Sequence, residues 1–452
     1  MESRCRSLRS RTVAAQSGVR ALNEIARQVF TVLFGRGIVR IAQLGTFLIL
    51  ARLLSPADFG WFGIVTTAVG VAALLGSLGL RASFGYQVGQ KLRPVGDAVG
   101  TALSLWLPLA FVSSAAVWFA YGPQLPLSLV ESAAVIGTGV SALLLIILMQ
   151  GIFLGRGQIR AFTLSETVPR VALMGLTVVL VVLSGVTLRS ALWMYCLSFV
   201  LAVPVIMWLA VKGAGALKVN FRQLGSTVRY GLINAVNLLV VTLCARLAMF
   251  VIEHYWGAAA AGEFFAAIRV YEIFLEAATV VGMVLFSNAA RNDENGSVFG
   301  RNARIACWML WSFLLLAALV ALAAPVVVTA LAGAEYAAAG PALQVLALSL
   351  APTAASKVLY QTLAGSGNAR FGTPILLVSL VVNVLLAIAL VPSMGINGGA
   401  VALVVGQYLL LAGYIITLKL RYGVAVRDVL VPRPGDAARL FRVIASRISR
   451  SR

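Results

Sequence analysis

The chain has 452 residues, of which 60% are hydrophobic and 11% charged, and its formal net charge is +21. Soluble domains carry roughly 25% charged residues, so this composition cannot cover a water-facing surface and excludes a soluble enzyme or binding module. The expected class is an all-α integral membrane protein. Its positive charge belongs at cytoplasmic loops and anionic lipid, not on nucleic acid.

Residues 1–28 form a basic cytoplasmic tail that includes Arg4, Arg6, Arg9, Arg11, Arg20 and Arg27. The apolar run Val29 to Leu50 is too long for a signal-peptide core and is read as the first span. Apolar runs bounded by Gly, Pro and charge place the further spans at 59–80, 97–120, 130–154, 163–184, 188–211, 230–252, 262–286, 303–332, 342–363, 371–391 and 398–419, twelve in all. With the N-terminus inside, the cytoplasmic segments hold 28 of the 36 Lys and Arg, the outer segments hold Arg52 and Arg189, and six lie within spans. That asymmetry places both termini in the cytoplasm.

An internal repeat divides the chain. Ser55-Pro-Ala-Asp-Phe-Gly60 has a counterpart in Gly257-Ala-Ala-Ala-Ala-Gly262, 202 positions later. Gly155-Arg-Gly-Gln-Ile-Arg160 matches Gly365-Ser-Gly-Asn-Ala-Arg370, and Gly185 matches Gly395, both at an offset of 210. The expected domains are an N-lobe at 29–211, a cytoplasmic linker at 212–229, a C-lobe at 230–420 and a basic tail at 421–452. Six helices per half enter the membrane in the same sense, so the repeat is parallel, with a pseudo-twofold axis along the membrane normal.

The cysteines, Cys5, Cys196, Cys244 and Cys307, show no paired spacing, and neither a disulfide nor a metal site is expected. The single histidine, His254, is read as an exposed helix-end residue. The candidate functional residues are the charges inside spans. An arginine at the bilayer centre costs ~2.5–3.5 kcal/mol even on the lenient insertion scale. Arg36 and Arg40 are one helical turn apart in span one and can line one wall. Arg170, Arg246 and Arg269 lie in spans five, seven and eight, and Lys357 lies near the inner end of span ten, where it can snorkel.

Three carboxylates share these spans. Glu166 and Arg170 have the spacing of a helix salt bridge, and Arg269 and Glu272 can neutralise each other at i, i+3. Glu276 has no cation four residues away on its own helix. It is read either as a proton-coupling group or as the partner of an arginine on another helix. Six cations against three carboxylates imply an anionic ligand. Arginine suits phosphate or pyrophosphate because its planar fork binds oxygen pairs.

Ala51-Arg-Leu-Leu-Ser-Pro-Ala-Asp-Phe-Gly60, continuing through Gly79-Leu80, resembles the first-hairpin signature of the oligosaccharide flippases. These are the polysaccharide transporter (Wzx-type) branch of the multidrug/oligosaccharidyl-lipid/polysaccharide exporter superfamily. Ala266-Ala-Ile-Arg-Val270 and Gly395-Ile-Asn-Gly-Gly-Ala400 extend the likeness into the second half. The resemblance implies two six-helix lobes forming a V around a central cationic cavity. It implies transfer of polyprenyl-pyrophosphate-linked oligosaccharide to the periplasmic leaflet of a bacterial inner membrane, for O-antigen, exopolysaccharide or a related glycan. It gives the cavity role to Arg36, Arg40 and Arg269, by helix.

Apart from the resemblance, the charges within spans add Arg246 and Arg170 as substrate-binding residues and Glu276, Glu272 and Glu166 as ion-coupling candidates. No enzymatic activity, metal or cofactor is expected. Net export calls for a proton or sodium gradient, or for removal of product by a polysaccharide polymerase or ligase. The rival readings are a drug/cation antiporter of the same superfamily and a non-transporting envelope scaffold.

Overall fold

A computed structural model describes residues 37–183, 185–220, 224–289, 297–366 and 368–432, and every described element in it is helical. The helices are α1, described over 37–53, then α2 (Pro56–Gly76), α3 (Leu80–Gly89), α4 (Val95–Tyr121), α5 (Leu129–Gly155), α6 (Ile159–Leu183), α7 (Leu188–Val211) and α8 (Leu224–Phe274). There follow α9 (Glu276–Ala289), α10 (Ser297–Ala332), α11 (Ala339–Ala347), α12 (Leu350–Gly365), α13 (Thr373–Met394), α14 (Ile396–Tyr422) and α15 (Val426–Leu430). Eight of them are long and apolar enough to cross a membrane, or nine if α11 and α12, bent by 49°, form one broken span. The protein is therefore multi-pass. Among the described residues this length-and-composition count stays below the twelve spans read from the sequence. Part of the first expected span lies outside the described residues, and spans seven and eight both fall on the α8–α9 stretch.

Local chemistry sets the helix ends. Ser55 caps α2, accepting from the Asp58 amide at 3.2 Å, with Pro56 in the first turn. Ser128 caps α5, and Thr187 with Ser190 forms a capping box at α7. Gly257, at φ 79°, turns the chain inside α8, so that its two arms are separate helices. Gly185 and Gly395, the pair at offset 210, both have positive φ, 79° and 57°.

The chain divides into two compact units that are each discontinuous in sequence: residues 1–46 with 69–235, and 47–68 with 236–452. Residues 47–68, expected in the N-terminal lobe, therefore pack with the second unit. In the first unit α5 is the axis, packed against α3, α4, α6 and α7. Val140, Leu144, Leu148 and Ile152 are fully buried along it. A Cβ on Gly151 would lie 2.2 Å from the Arg81 carbonyl oxygen, so backbone meets backbone there. The segment after α7 lies along α4. Buried Arg93 donates to the Asn220 carbonyl, and the Asn220 amide donates to Thr101 Oγ1 at 3.1 Å.

In the second unit α12 packs against α9, α10 and α14, burying Ala354, Ala355, Val358 and Leu359. The hairpin at 47–68 meets its own repeat counterpart here. A Cβ on Gly60 would lie 1.8 Å from the Ala258 oxygen, and one on Gly262 would lie 2.1 Å from the Pro56 oxygen. Phe59 seals the contact, with ring centroids 5.2 Å from Phe265 and 5.7 Å from Tyr336. The Tyr336 hydroxyl donates to the Leu54 carbonyl at 3.3 Å. Large apolar side chains such as Leu322, 82% exposed, and Phe111, 76% exposed, face outward, as lipid contact demands.

Candidate functional site

The charged residues of spans seven and eight come together in the second unit. Arg246 lies 11 residues before the Gly257 turn and Arg269 lies 12 after it. At ~1.5 Å per residue both are about 17–18 Å from the turn.

Glu272 joins them. Arg246 Nη2 donates to Glu272 Oε1 at 2.8 Å, and Arg269 Nη1 donates to Oε2 at 3.0 Å. Each carboxylate oxygen thus takes one arginine, so that one anion is shared by two cations. The i, i+3 pairing of Arg269 with Glu272 is as the sequence spacing suggested. The cross-helix pairing with Arg246 depends on helix rotation, which spacing does not report. The three side chains stay partly accessible, at 19% for Arg246, 28% for Glu272 and 31% for Arg269. Arg269 also lies over the Phe265 ring, 4.7 Å from its centroid. Arg246 Nη1 is buried without a hydrogen-bond partner, an unspent donor beside the carboxylate.

Around this cluster the helices are interrupted. Glu276 opens α9 immediately after the break at Leu275. Lys357 of α12 does not snorkel away; its Nζ donates to Thr279 Oγ1 of α9 at 2.7 Å. Tyr271, buried beside Glu272, hydrogen-bonds Thr353 Oγ1 and Ser349 Oγ, each at 2.9 Å. Ser349 lies in the break between α11 and α12. The cause of that break is Pro352, which has no N–H to bond the Leu348 carbonyl. The Tyr408 hydroxyl of α14 donates to that carbonyl instead, at 3.3 Å. Sequence reading missed Phe265, Tyr271, Ser349 and Thr353. Phe265, at i−4 from Arg269, was accessible to helical spacing, whereas the hydroxyl network was not.

The other candidates lie in the first unit or outside the described residues. Arg36 falls outside them. Arg40 Nη1 donates to Gln43 Oε1 at 3.0 Å. Arg170 lies over the Phe199 ring at 5.7 Å, and the helix salt bridge to Glu166 allowed by spacing is not formed. Glu166 is instead within electrostatic reach of Arg81, whose guanidinium lies over Phe162 at 5.3 Å. His254 is exposed near the Gly257 turn, and Cys196 and Cys307 are buried. Among the described residues no group of three His, Cys, Asp or Glu could hold a metal ion.

The sequence profile of a family described as polysaccharide biosynthesis protein matches residues 49–341. No curated protein matches the chain. Among solved structures it is similar to the lipid II flippase MurJ in an inward closed conformation, with TM-score 0.68 and 11% identity over 88% of each chain. It is similar to an inward-facing MATE multidrug resistance transporter of the MOP superfamily, with TM-score 0.63 and 17% identity over 85% of this chain and 94% of that one. It is similar also to a MOP transporter from Pyrococcus furiosus described by a reversed polarity of its binding pocket, with TM-score 0.62 and 18% identity over 88% and 95%. The fold is thus that of the MOP-superfamily transporters and flippases, and these neighbours are not enzymes.

Proposed function

The chain belongs to the polysaccharide biosynthesis protein family, and from that premise we propose that it is a flippase for polyprenyl-pyrophosphate-linked oligosaccharides. It moves them from the cytoplasmic to the periplasmic leaflet of a bacterial inner membrane by alternating access, for surface polysaccharide assembly. The observation that carries the reading is the Arg246–Glu272–Arg269 cluster, two forked cations on one carboxylate within the stretch read as spans seven and eight. A pyrophosphate cannot cross hydrocarbon bare. Paired guanidiniums offer it charge-assisted, bidentate hydrogen bonds where water is scarce. A cation antiporter needs an excess of carboxylate in its site, and here the excess is of arginine. Arg36, Arg40 and Arg170 are proposed to add positive charge along the route. Glu276 and Glu166 are the candidates for coupling to a proton or sodium gradient. Downstream removal of product by a polymerase or ligase would serve the same end.

The test uses the purified protein in liposomes carrying fluorescent polyprenyl-pyrophosphate oligosaccharide, followed by exposure to an impermeant reagent. The parent chain is expected to transfer the lipid, and Arg269→Ala and Arg246→Ala to slow transfer at least about tenfold, as loss of a charge-assisted contact predicts. Transfer unchanged by both substitutions would remove the cluster from the mechanism. No transfer by the parent under an imposed ion gradient, with several sugars, would remove the flippase reading.

A further inference from the structure

We infer that Glu272 is a built-in counter-anion that occupies the anion site until substrate phosphate displaces it. The inference rests on the reading of the arginine pair as a pyrophosphate site. The geometry carries it. Glu272 does not pair with one arginine in a fork. It bridges two, giving Oε1 to Arg246 and Oε2 to Arg269. The two oxygens of a carboxylate are separated much as two oxygens of a phosphoryl group are, so the carboxylate stands where such a group would bind.

Energetics explain why such a stand-in is useful. Two guanidiniums held side by side within spans with no anion would repel each other and leave donors unsatisfied. Glu272 holds them in place while the site is empty. Arg246 Nη1 still lacks an acceptor. A pyrophosphate brings more negative charge and more oxygens than one carboxylate can offer, and so can complete what Glu272 leaves incomplete. An anion of single charge gains little by the exchange. The device therefore selects for multiply charged headgroups. It also gives the freed carboxylate a defined moment of release, next to Tyr271 and the hydroxyls at the α11–α12 break.

Glu272 acts through the arginines and is a positioning residue, so its test needs a readout that simple damage would not produce. We would titrate inorganic pyrophosphate and, separately, inorganic phosphate into the full-length protein in nanodiscs by calorimetry at fixed ionic strength. Glu272→Gln keeps the shape and removes the competing charge. The expected result is pyrophosphate affinity raised about tenfold over the parent, with a smaller gain for phosphate. Unchanged or weaker binding, in a variant that melts at the parent's temperature, would overturn the inference. Should Glu272→Gln not fold, Glu272→Asp takes its place. Its shorter side chain cannot span both arginines, and binding should tighten by a smaller factor; binding no tighter than the parent's overturns the proposal. Binding by neither parent nor variant would overturn the pyrophosphate site itself and the inference with it. Binding by the variant alone would support the internal anion in its strongest form.

Discussion

Spans four and ten hold equivalent places in the repeat, yet they are built differently. Span four is α5, a helix of 27 residues whose buried face is apolar but for Ser132 and Gln150. It is held by close backbone approach at Gly151 and Gly155. Span ten is α11 and α12, bent by 49° at a break. It carries Ser349, Thr353, Ser356 and Lys357, and hydroxyls and an ammonium tie it to its neighbours. One half of the molecule thus uses this position as a rigid post. The other opens it and fills it with polar groups beside the arginine cluster. Apolar packing tolerates no missing hydrogen bonds in lipid, and a break is stable only where side chains re-satisfy the freed backbone. Tyr408 does this for the Leu348 carbonyl.

Three substitutions and one control sharpen that contrast. The largest effect is expected from Gly151→Ala on the rigid side, where the new Cβ would lie 2.2 Å from the Arg81 oxygen. Overpacking of this kind costs about 1–3 kcal/mol and should lower the melting temperature in detergent. Gly175→Ala, which meets nothing within 4 Å, should not. An equal response at both glycines would dissolve the post. Next comes Tyr271→Phe on the broken side, which removes two hydrogen bonds and no volume in the core. A loss of about 1–2 kcal/mol is expected, with faster amide exchange over residues 345–356. Unchanged exchange there would mean the hydroxyls do not hold the break. The smallest effect is Tyr408→Phe, about 0.6 kcal/mol, also read by exchange at the break. A larger effect than that of Tyr271→Phe would move the weight of the bend from α8 to α14.

Much of this was readable in the chain itself. Apolar run length revealed the helices, and Ser55-Pro-Ala-Asp-Phe-Gly60 stood out through the internal repeat and its resemblance to the first-hairpin signature of the oligosaccharide flippases. Arg246, Arg269 and Glu272 stood out because charge inside apolar runs is costly. Their mutual arrangement was legible only for Arg269 and Glu272, which share a helix. Arg246 reaches Glu272 across a turn, and the rotation that allows it is set by packing. Pro352 was visible in its span but was not used, and with it the α11–α12 bend was missed. The placement of 47–68 in the second unit was not readable either, since helix count sorts residues by order along the chain and not by contact.

That last placement has a consequence for biogenesis. Phe59 and Gly60 leave the ribosome about 200 residues ahead of Gly262 and Phe265, against which they finally pack. At ~5–20 residues per second of synthesis, the first hairpin waits roughly 10–40 s in the bilayer with its glycine face and its phenylalanine uncovered. The nascent chain is therefore most exposed to wrong partners, or to capture by insertion chaperones, in the interval before residues 257–265 arrive. A slow stretch of translation placed within that interval should lower the yield of folded protein more than the same stretch placed after residue 340.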